Sequence, residues 1–261
     1  MRDDVPVSRN IDVGLINLPG MFKRLLKKLI RIAGYQIAPL VRAGEFPELT
    51  HAMRRLRRRK TSFNTVIDVG ASDGRWSALC MKEFPTIDYY LIEAQPVHKL
   101  GLQRFCTAHP NCRYTLSAAG AEAGSIYFDA SNPFGGVASV NPFDHGGIKV
   151  PVTTIDLEVQ KERLRGPFLI KLDTHGFEVP ILHGAQSTLS QTEVLILECY
   201  NFRVQSESLL FCEMCSFVAR FGFRCIDLFD ILYRPYDNTF WQMDIMFMRA
   251  ERPEFDYRRF R

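Results

Sequence analysis

Along the chain, short runs of strand-forming residues alternate with stretches whose apolar residues recur at helical spacing. Thr65–Val69, Asp88–Glu93, Cys112–Leu116, Pro167–Asp173, Val194–Cys199, Arg224–Leu228 and Trp241–Arg249 read as strands. Arg75–Met81, Pro96–Ala108, Phe177–Leu189 and Ser206–Phe221 read as the helices between them. Such alternation predicts an α/β fold, a mostly parallel sheet covered on both faces. The rhythm breaks after residue 124. Ser125–Asp129 and Ile148–Thr154 are strand-like, and Ser131–Gly147 between them is rich in Gly, Asn and Pro. A connection of that length is usually functional, and it is expected to be a flap on the substrate side.

Before the first strand the pattern differs. Residues 1–20 show no period and read as a flexible lead, with Met21 as an alternative start. From Met21 to Ala33, Phe22, Leu25, Leu26, Leu29 and Ile30 share one face, and Lys23, Arg24, Lys27, Lys28 and Arg31 fill the other. This is a basic amphipathic helix ended by Gly34. It suits packing on the main domain, on a second subunit in a homo-oligomer, or on an anionic membrane surface. Arg54–Lys60 is a dense basic run, read as a solvated helix face or a contact with acidic lipid or substrate. With no aromatics interleaved, nucleic acid is not the expected partner.

Composition adds little to this picture. The 261 residues are 46% hydrophobic and 24% charged, ordinary for a chain that buries one large core. The net charge of +4 is mild, and much of the basic excess precedes residue 61. Seven scattered cysteines, no signal peptide and no apolar run of membrane length point to the cytoplasm, with membrane attachment through residues 21–33 as the other location. Cys212 and Cys215 have no second pair to complete a zinc site.

Ligands of open α/β sheets bind at the carboxyl ends of the strands. The first strand ends in Asp68-Val69-Gly70-Ala71-Ser72-Asp73-Gly74 and opens into a helix. Such a turn offers backbone N–H groups and a positive helix end to a nucleotide-like cofactor. A carboxylate at its first position would repel a pyrophosphate but suits a cofactor with a cationic amino-acid end. The loop is therefore read as a seat for S-adenosylmethionine rather than a dinucleotide. Glu93, 25 residues on, stands where an acid takes both hydroxyls of a ribose. Asp173 and Glu198 close two further strands.

Lys171-x-Asp173-x-His175-Gly176-x-Glu178 is the second cluster. Strand alternation puts Lys171 and Asp173 on one side. His175, with an unperturbed pKa near neutrality, is a candidate general base. Alternatively Glu178 caps the turn or pairs with Lys171, and His175 is merely exposed. Asp173, His175 and Glu198 match no established metal-ligand spacing, so no metal is expected.

Val66–Gly74, Leu91-Ile92-Glu93-Ala94-Gln95-Pro96, Ile170-Lys171-Leu172-Asp173-x-x-Gly176-Phe177-Glu178 with Leu182-x-Gly184-Ala185, and Trp241-x-Met243-Asp244-x-x-Phe247 stand in the order seen in FkbM-type methyltransferases, which the chain resembles over about residues 60–250. The family usually carries Glu where this chain has His175. The resemblance implies a class I methyltransferase fold: a Rossmann-like, doubly wound sheet of seven strands with the last antiparallel. It implies S-adenosylmethionine-dependent O-methylation, typically of hydroxyls on sugars, glycolipids or polyketide-like natural products. By the same carry-over, Asp68, Gly70, Ala71, Ser72 and Gly74 hold the methionine part, Glu93 holds the ribose, and Ser117–Gly120, including Ala118, lies near the adenine. The expected domain is residues 61–250, with an extension over 1–60 and a tail over 251–261.

Asp173 is the expected base, with His175 as alternative or relay and Lys171 orienting the carboxylate or substrate. A nicotinamide-dependent sugar dehydrogenase would also want a glycine loop and an acid after the second strand, but Asp68 and the Lys171–Glu178 cluster argue against it. An RNA methyltransferase is the reading that Arg54–Lys60 favours. The Asn/Asp-Pro-Pro-aromatic motif common among base methylators is replaced here by Lys-Leu-Asp-Thr-His-Gly.

Overall fold

The computed structural model describes residues 47–145, 147–206 and 208–260. The lead over residues 1–20 and the basic helix expected over Met21–Ala33 lie outside the described residues.

The described chain opens with α1 (Pro47–Arg58), then β1 (Thr65–Val69), α2 (Arg75–Met81), β2 (Asp88–Glu93), a 3₁₀ turn (Pro96–His98), α3 (Lys99–Ala108) and β3 (Cys112–Leu116). Four strands follow: β4 (Ala118–Ala119), β5 (Gly124–Asp129), β6 (Val137–Ser139) and β7 (Gly147–Thr153). The main pattern resumes with α4 (Ile155–Glu162), β8 (Phe168–Leu172), α5 (Glu178–His183), α6 (Gln186–Leu189), β9 (Thr192–Tyr200), α7 (Phe211–Ala219), β10 (Phe223–Tyr233) and β11 (Phe240–Arg249).

Seven strands form the main sheet in the order β10-β11-β9-β8-β1-β2-β3. Its β9-to-β3 half is parallel, and β11 runs antiparallel to both β9 and β10. This is the doubly wound sheet with an antiparallel last strand that the resemblance implied. β1 and β8 are buried at every position because helices cover both faces. On one face Val66, Leu91, Leu169 and Ile196 pack against Leu49, Met53 and Leu56 of α1 and Trp76 of α2. On the other, Ile67, Ile170, Leu195 and Phe247 pack against Ile155, Ile181, Leu189 and Phe217.

α1 carries most of the basic run. Its apolar side belongs to the core, while Arg54 and Arg57 pair with Glu83 and Arg55 pairs with Asp227. Part of the positive charge is therefore engaged within the domain.

Three local expectations change. The stretch 131–147 is not one long loop. It carries β6, which completes a small sheet in the order β4-β7-β5-β6 around Ala118, Ile126, Ala138 and Val150. Pairings between such short strands leave little periodicity in the sequence. The helix expected over Phe177–Leu189 is two helices, parted at Gly184. A Cβ on Gly184 would lie 2.1 Å from the Gly120 carbonyl oxygen, so the chain bends where two backbones touch. α4 was not expected, because eight mostly polar residues give a weak pattern. Thr154 caps it by accepting from the Leu157 N–H, and Asp156 and Glu158 sit in its first turn. Among the described residues no helix is long and apolar enough to cross a membrane.

Gly184 has an ordinary negative φ, so its constraint is steric alone. Gly184→Ala should destabilise the fold by about 1–3 kcal/mol, the usual cost of forcing one methyl into a filled contact. Urea unfolding at equilibrium measures it.

Candidate active site

The carboxyl ends of β1, β2, β8 and β9 converge with the first half of β11 at one edge of the main sheet. The turn after β1 needs three left-handed residues: Gly70 at φ 74°, Ser72 at 54° and Gly74 at 88°. A Cβ on Gly70 would stand 2.0 Å from the Asp173 carbonyl oxygen, so only glycine lets the β1 turn touch the end of β8. The amides of this turn are not bare, as the sequence had suggested. Those of Gly70 and Ala71 donate to the Ile92 carbonyl, and that of Ser72 donates to Glu93. The parallel neighbour β2 takes them up.

A cavity of about 240 Å³ opens here. Of the residues expected to hold cofactor, Gly70, Ala71, Ser72, Glu93 and Ala118 line it, and so do Lys171, Asp173 and His175 of the expected catalytic set. Asp68 and Gly74 stand behind the wall. Asp68 is fully buried, and a Cβ on Gly74 would meet the Phe105 ring at 2.8 Å. The Glu93 carboxylate accepts from Ser72 N–H at 2.6 Å and Gln95 N–H at 2.7 Å. Each of its oxygens keeps a lone pair for a ribose hydroxyl.

The segment expected as a substrate-side flap is anchored beside Glu93. Gln95 Nε2 donates to the carbonyls of Asn132 (3.2 Å) and Pro133 (3.1 Å), and His98 Nε2 lies 2.7 Å from the Pro133 oxygen. Phe134 sits between the Arg75 guanidinium, 4.4 Å from its centroid, and the His98 ring at 5.5 Å. Both anchors follow Glu93 directly, which draws the segment over that end of the cavity.

Buried Asp68 and Lys171 form an ionic row with the partly exposed Asp173. Lys171 Nζ is 2.9 Å from Asp173 Oδ2 and 3.5 Å from Asp68 Oδ1, and Ser77 Oγ donates to Asp68 Oδ2 at 2.7 Å. Burial raises the Asp68 pKa despite Lys171. Desolvation also acts to raise Asp173, but the charges of Lys171 and His175 outweigh it and hold that carboxyl below its usual range. Asp173 is thus ionised and able to take a proton.

His175 adopts φ 50°, and its Nδ1 lies 2.8 Å from the Tyr200 hydroxyl and 3.1 Å from Glu198 Oε2. Desolvation would lower its pKa, but the hydrogen bond and charge of Glu198, with Asp173 and Glu178, push it up to about 9. An imidazolium has no lone pair to accept with, so of the two side chains only the Asp173 carboxylate can accept a proton. Glu198 also accepts from the Tyr200 hydroxyl and from Gln242 Nε2. Asp244 faces Glu198 across the β9–β11 register, and burial together with Asp173 and Glu198 raises its carboxyl well above the usual range. Glu178 accepts from the Thr174 hydroxyl and the Gly176 N–H, and burial pushes it up to about 7. It therefore caps the turn rather than pairing with Lys171. Asp173, His175 and Glu198 each bring a donor atom within 4.8 Å of the others, a set a divalent cation could also use. Lys171 and His175 already supply these carboxylates with positive charge.

Tyr200 and Gln242 escaped the sequence reading. They are directly opposed in the antiparallel register, and only strand pairing could have joined them to His175. Trp76, Arg75 and Gln95 also line the cavity unforeseen.

A family model described as the Methyltransferase FkbM domain matches residues 68–225. No curated protein matches the chain. Solved structures that match include a putative O-methyltransferase from Klebsiella pneumoniae, at 12% identity over 90% of this chain and 92% of that one, TM-score 0.46. A putative tRNA (m1A22) methyltransferase from Streptococcus pneumoniae in complex with S-adenosyl-L-methionine matches at 12% identity over 77% and 73%, TM-score 0.45. Precorrin-6y C5,15-methyltransferase from Geobacter metallireducens GS-15 matches at 11% identity over 77% and 86%, TM-score 0.43.

The raised His175 pKa makes stability depend on pH. A group whose pKa is higher folded than unfolded contributes fully below its unfolded value, near 6.5, and loses that contribution as pH rises through about 9. Unfolding free energy should therefore fall between pH 6.5 and 9.5. Glu198→Gln should flatten the fall, as urea titrations at several pH values would record.

Proposed function

The chain belongs to the FkbM methyltransferase family, whose members use S-adenosylmethionine, and we propose that it methylates a hydroxyl oxygen of a sugar, glycolipid or related natural product. The observation that carries this reading is the position of Asp173. It is an ionised carboxylate at the β8 end, in the same cavity as Gly70, Ser72 and Glu93.

The cavity residues fit the cofactor on their own chemistry. Glu93 keeps free lone pairs, and the Trp76 indole N–H and Gln95 Oε1 are buried without partners. Gly70, Ala71 and Ser72 would line the methionine part, Glu93 the ribose and Ala118 the adenine. Asp68 would act from behind the wall, by fixing Lys171. When bound, S-adenosylmethionine supplies a methyl group already activated by its sulfonium. The protein's task is then alignment and removal of one proton.

A sugar hydroxyl is a poor nucleophile, and Asp173 takes its proton as the new bond forms. Lys171, 2.9 Å away, holds that carboxylate ionised and oriented. His175, fixed as a cation by Glu198 and Tyr200, faces the same space and donates to oxygens of the acceptor. An RNA acceptor is the second reading, for which the exposed Arg58 and Lys60 side of the basic run would serve. The pairing of Arg54, Arg55 and Arg57 within the domain counts against it.

Asp173→Asn should retain S-adenosylhomocysteine binding but lose about 10²–10⁴-fold in turnover, the usual contribution of a positioned base. Calorimetry and a labelled-methyl assay on glycan and lipid extracts separate the two effects. Turnover near that of the wild type would refute the assignment.

A further inference from the structure

Gln95 does two things at once. Its carboxamide nitrogen donates to the carbonyls of Asn132 and Pro133. Because carbonyls only accept, those two contacts decide which end of the amide is nitrogen. The other end, Oε1, is then a pure acceptor. It is buried, has no hydrogen-bond partner, and belongs to a residue only 3% exposed that lines the cavity. A buried acceptor without a donor is costly, so a residue that lines the cavity and leaves one is built for a donor that arrives with a ligand.

The surroundings support the same reading. Gly136 is packed against this amide: a Cβ there would lie 2.7 Å from Gln95 Nε2 and 2.2 Å from the Phe128 ring. His98 holds the same strap through the Pro133 carbonyl. Pro133, Phe134, Gly135 and Gly136 line the same cavity as Glu93.

We propose that Gln95 is a cofactor-sensing latch, whose nitrogen clamps the 132–136 strap while its Oε1 accepts a hydrogen bond from the adenosine part of the bound cofactor. The inference rests on the cleft being the cofactor site. It sets an order of events. With the strap clamped, Oε1 is closed to water, so the donor must be in place before the latch shuts. The cofactor enters first, the strap closes on it, and the adenosine is held by Glu93 and by Gln95. The donors available on adenosine are the exocyclic amino group and the ribose hydroxyls.

Calorimetry with S-adenosylhomocysteine, its inosine analogue and its 2′- and 3′-deoxy analogues tests this on wild type, Gln95→Leu and Gln95→Glu. Gln95→Leu should weaken S-adenosylhomocysteine about tenfold, the scale of one buried hydrogen bond. One analogue should lose affinity for wild type and lose little more for Gln95→Leu, and that analogue identifies the donor. Backbone hydrogen exchange over 132–136 should slow with S-adenosylhomocysteine in wild type but not in Gln95→Glu, which keeps an acceptor and lacks the clamping N–H groups. Gln95→Leu within twofold of wild type, or equal analogue penalties in both proteins, overturns the proposal. So does strap exchange in Gln95→Glu that slows as in wild type, an arm that stands even if the leucine variant does not fold. A wild type that fails to bind S-adenosylhomocysteine overturns the cofactor site itself, and the latch with it.

Discussion

One buried ammonium organises the site. Lys171 is 2% exposed, and removing such a charge from water is expensive unless carboxylates meet it. Asp68 meets it from β1, and Asp173 from the end of its own strand, β8. Both partners follow from the parallel pairing of β1 with β8, which puts Asp68 directly beside Lys171. The two carboxylates outweigh the cost of burial and raise the Lys171 pKa. In return Lys171 keeps Asp173 ionised. The close approach that Gly70 permits completes this arrangement, because the backbone oxygen of Asp173 sits where any larger residue would carry its Cβ.

From that row the site divides by charge and by supporting element. Toward β2 lie the groups suited to a nucleoside: Glu93, the small residues Ala71 and Ala118, and the strap held by Gln95 and His98. Toward β9 and β11 lies an acidic network in which Glu198 accepts from His175, Tyr200 and Gln242. The first side is closed by side-chain hydrogen bonds to strap carbonyls and a short second sheet. The second is built from side chains on adjacent strands, whose protonation states depend on one another. Asp173 stands where the two meet, which suits a reaction that moves a carbon from one bound molecule to another and a proton to the protein.

Much of this was legible in the chain. β1, β2 and β3 follow short runs of strand-forming residues, and their observed bounds are those expected. Asp68, Glu93, Asp173 and Glu198 stood out because strands covered on both faces rarely carry carboxylates. Less legible was anything formed by chain segments that meet only after folding. The small sheet depends on β6, three residues long, pairing with β5. The direction in which the strap closes depends on Gln95, whose side chain has no helical or strand signature.

The sequence by itself determined the strands of the main sheet, its mostly parallel character, the glycine turn and the acids at the strand ends, because periodicity and local backbone sterics are properties of neighbouring residues. Tertiary structure alone decided what those acids do. Asp68, expected at the cofactor, is sealed behind the wall as the counter-ion of Lys171. His175, expected near neutrality, is held as a cation by Glu198, with Tyr200 bonded to both. The strap, expected as a substrate-side flap, is anchored to Gln95 and His98 beside Glu93. The first two outcomes turn on desolvation and on charges brought together across strands, the third on hydrogen bonds to a distant segment, and none is set by the residues adjacent in the chain.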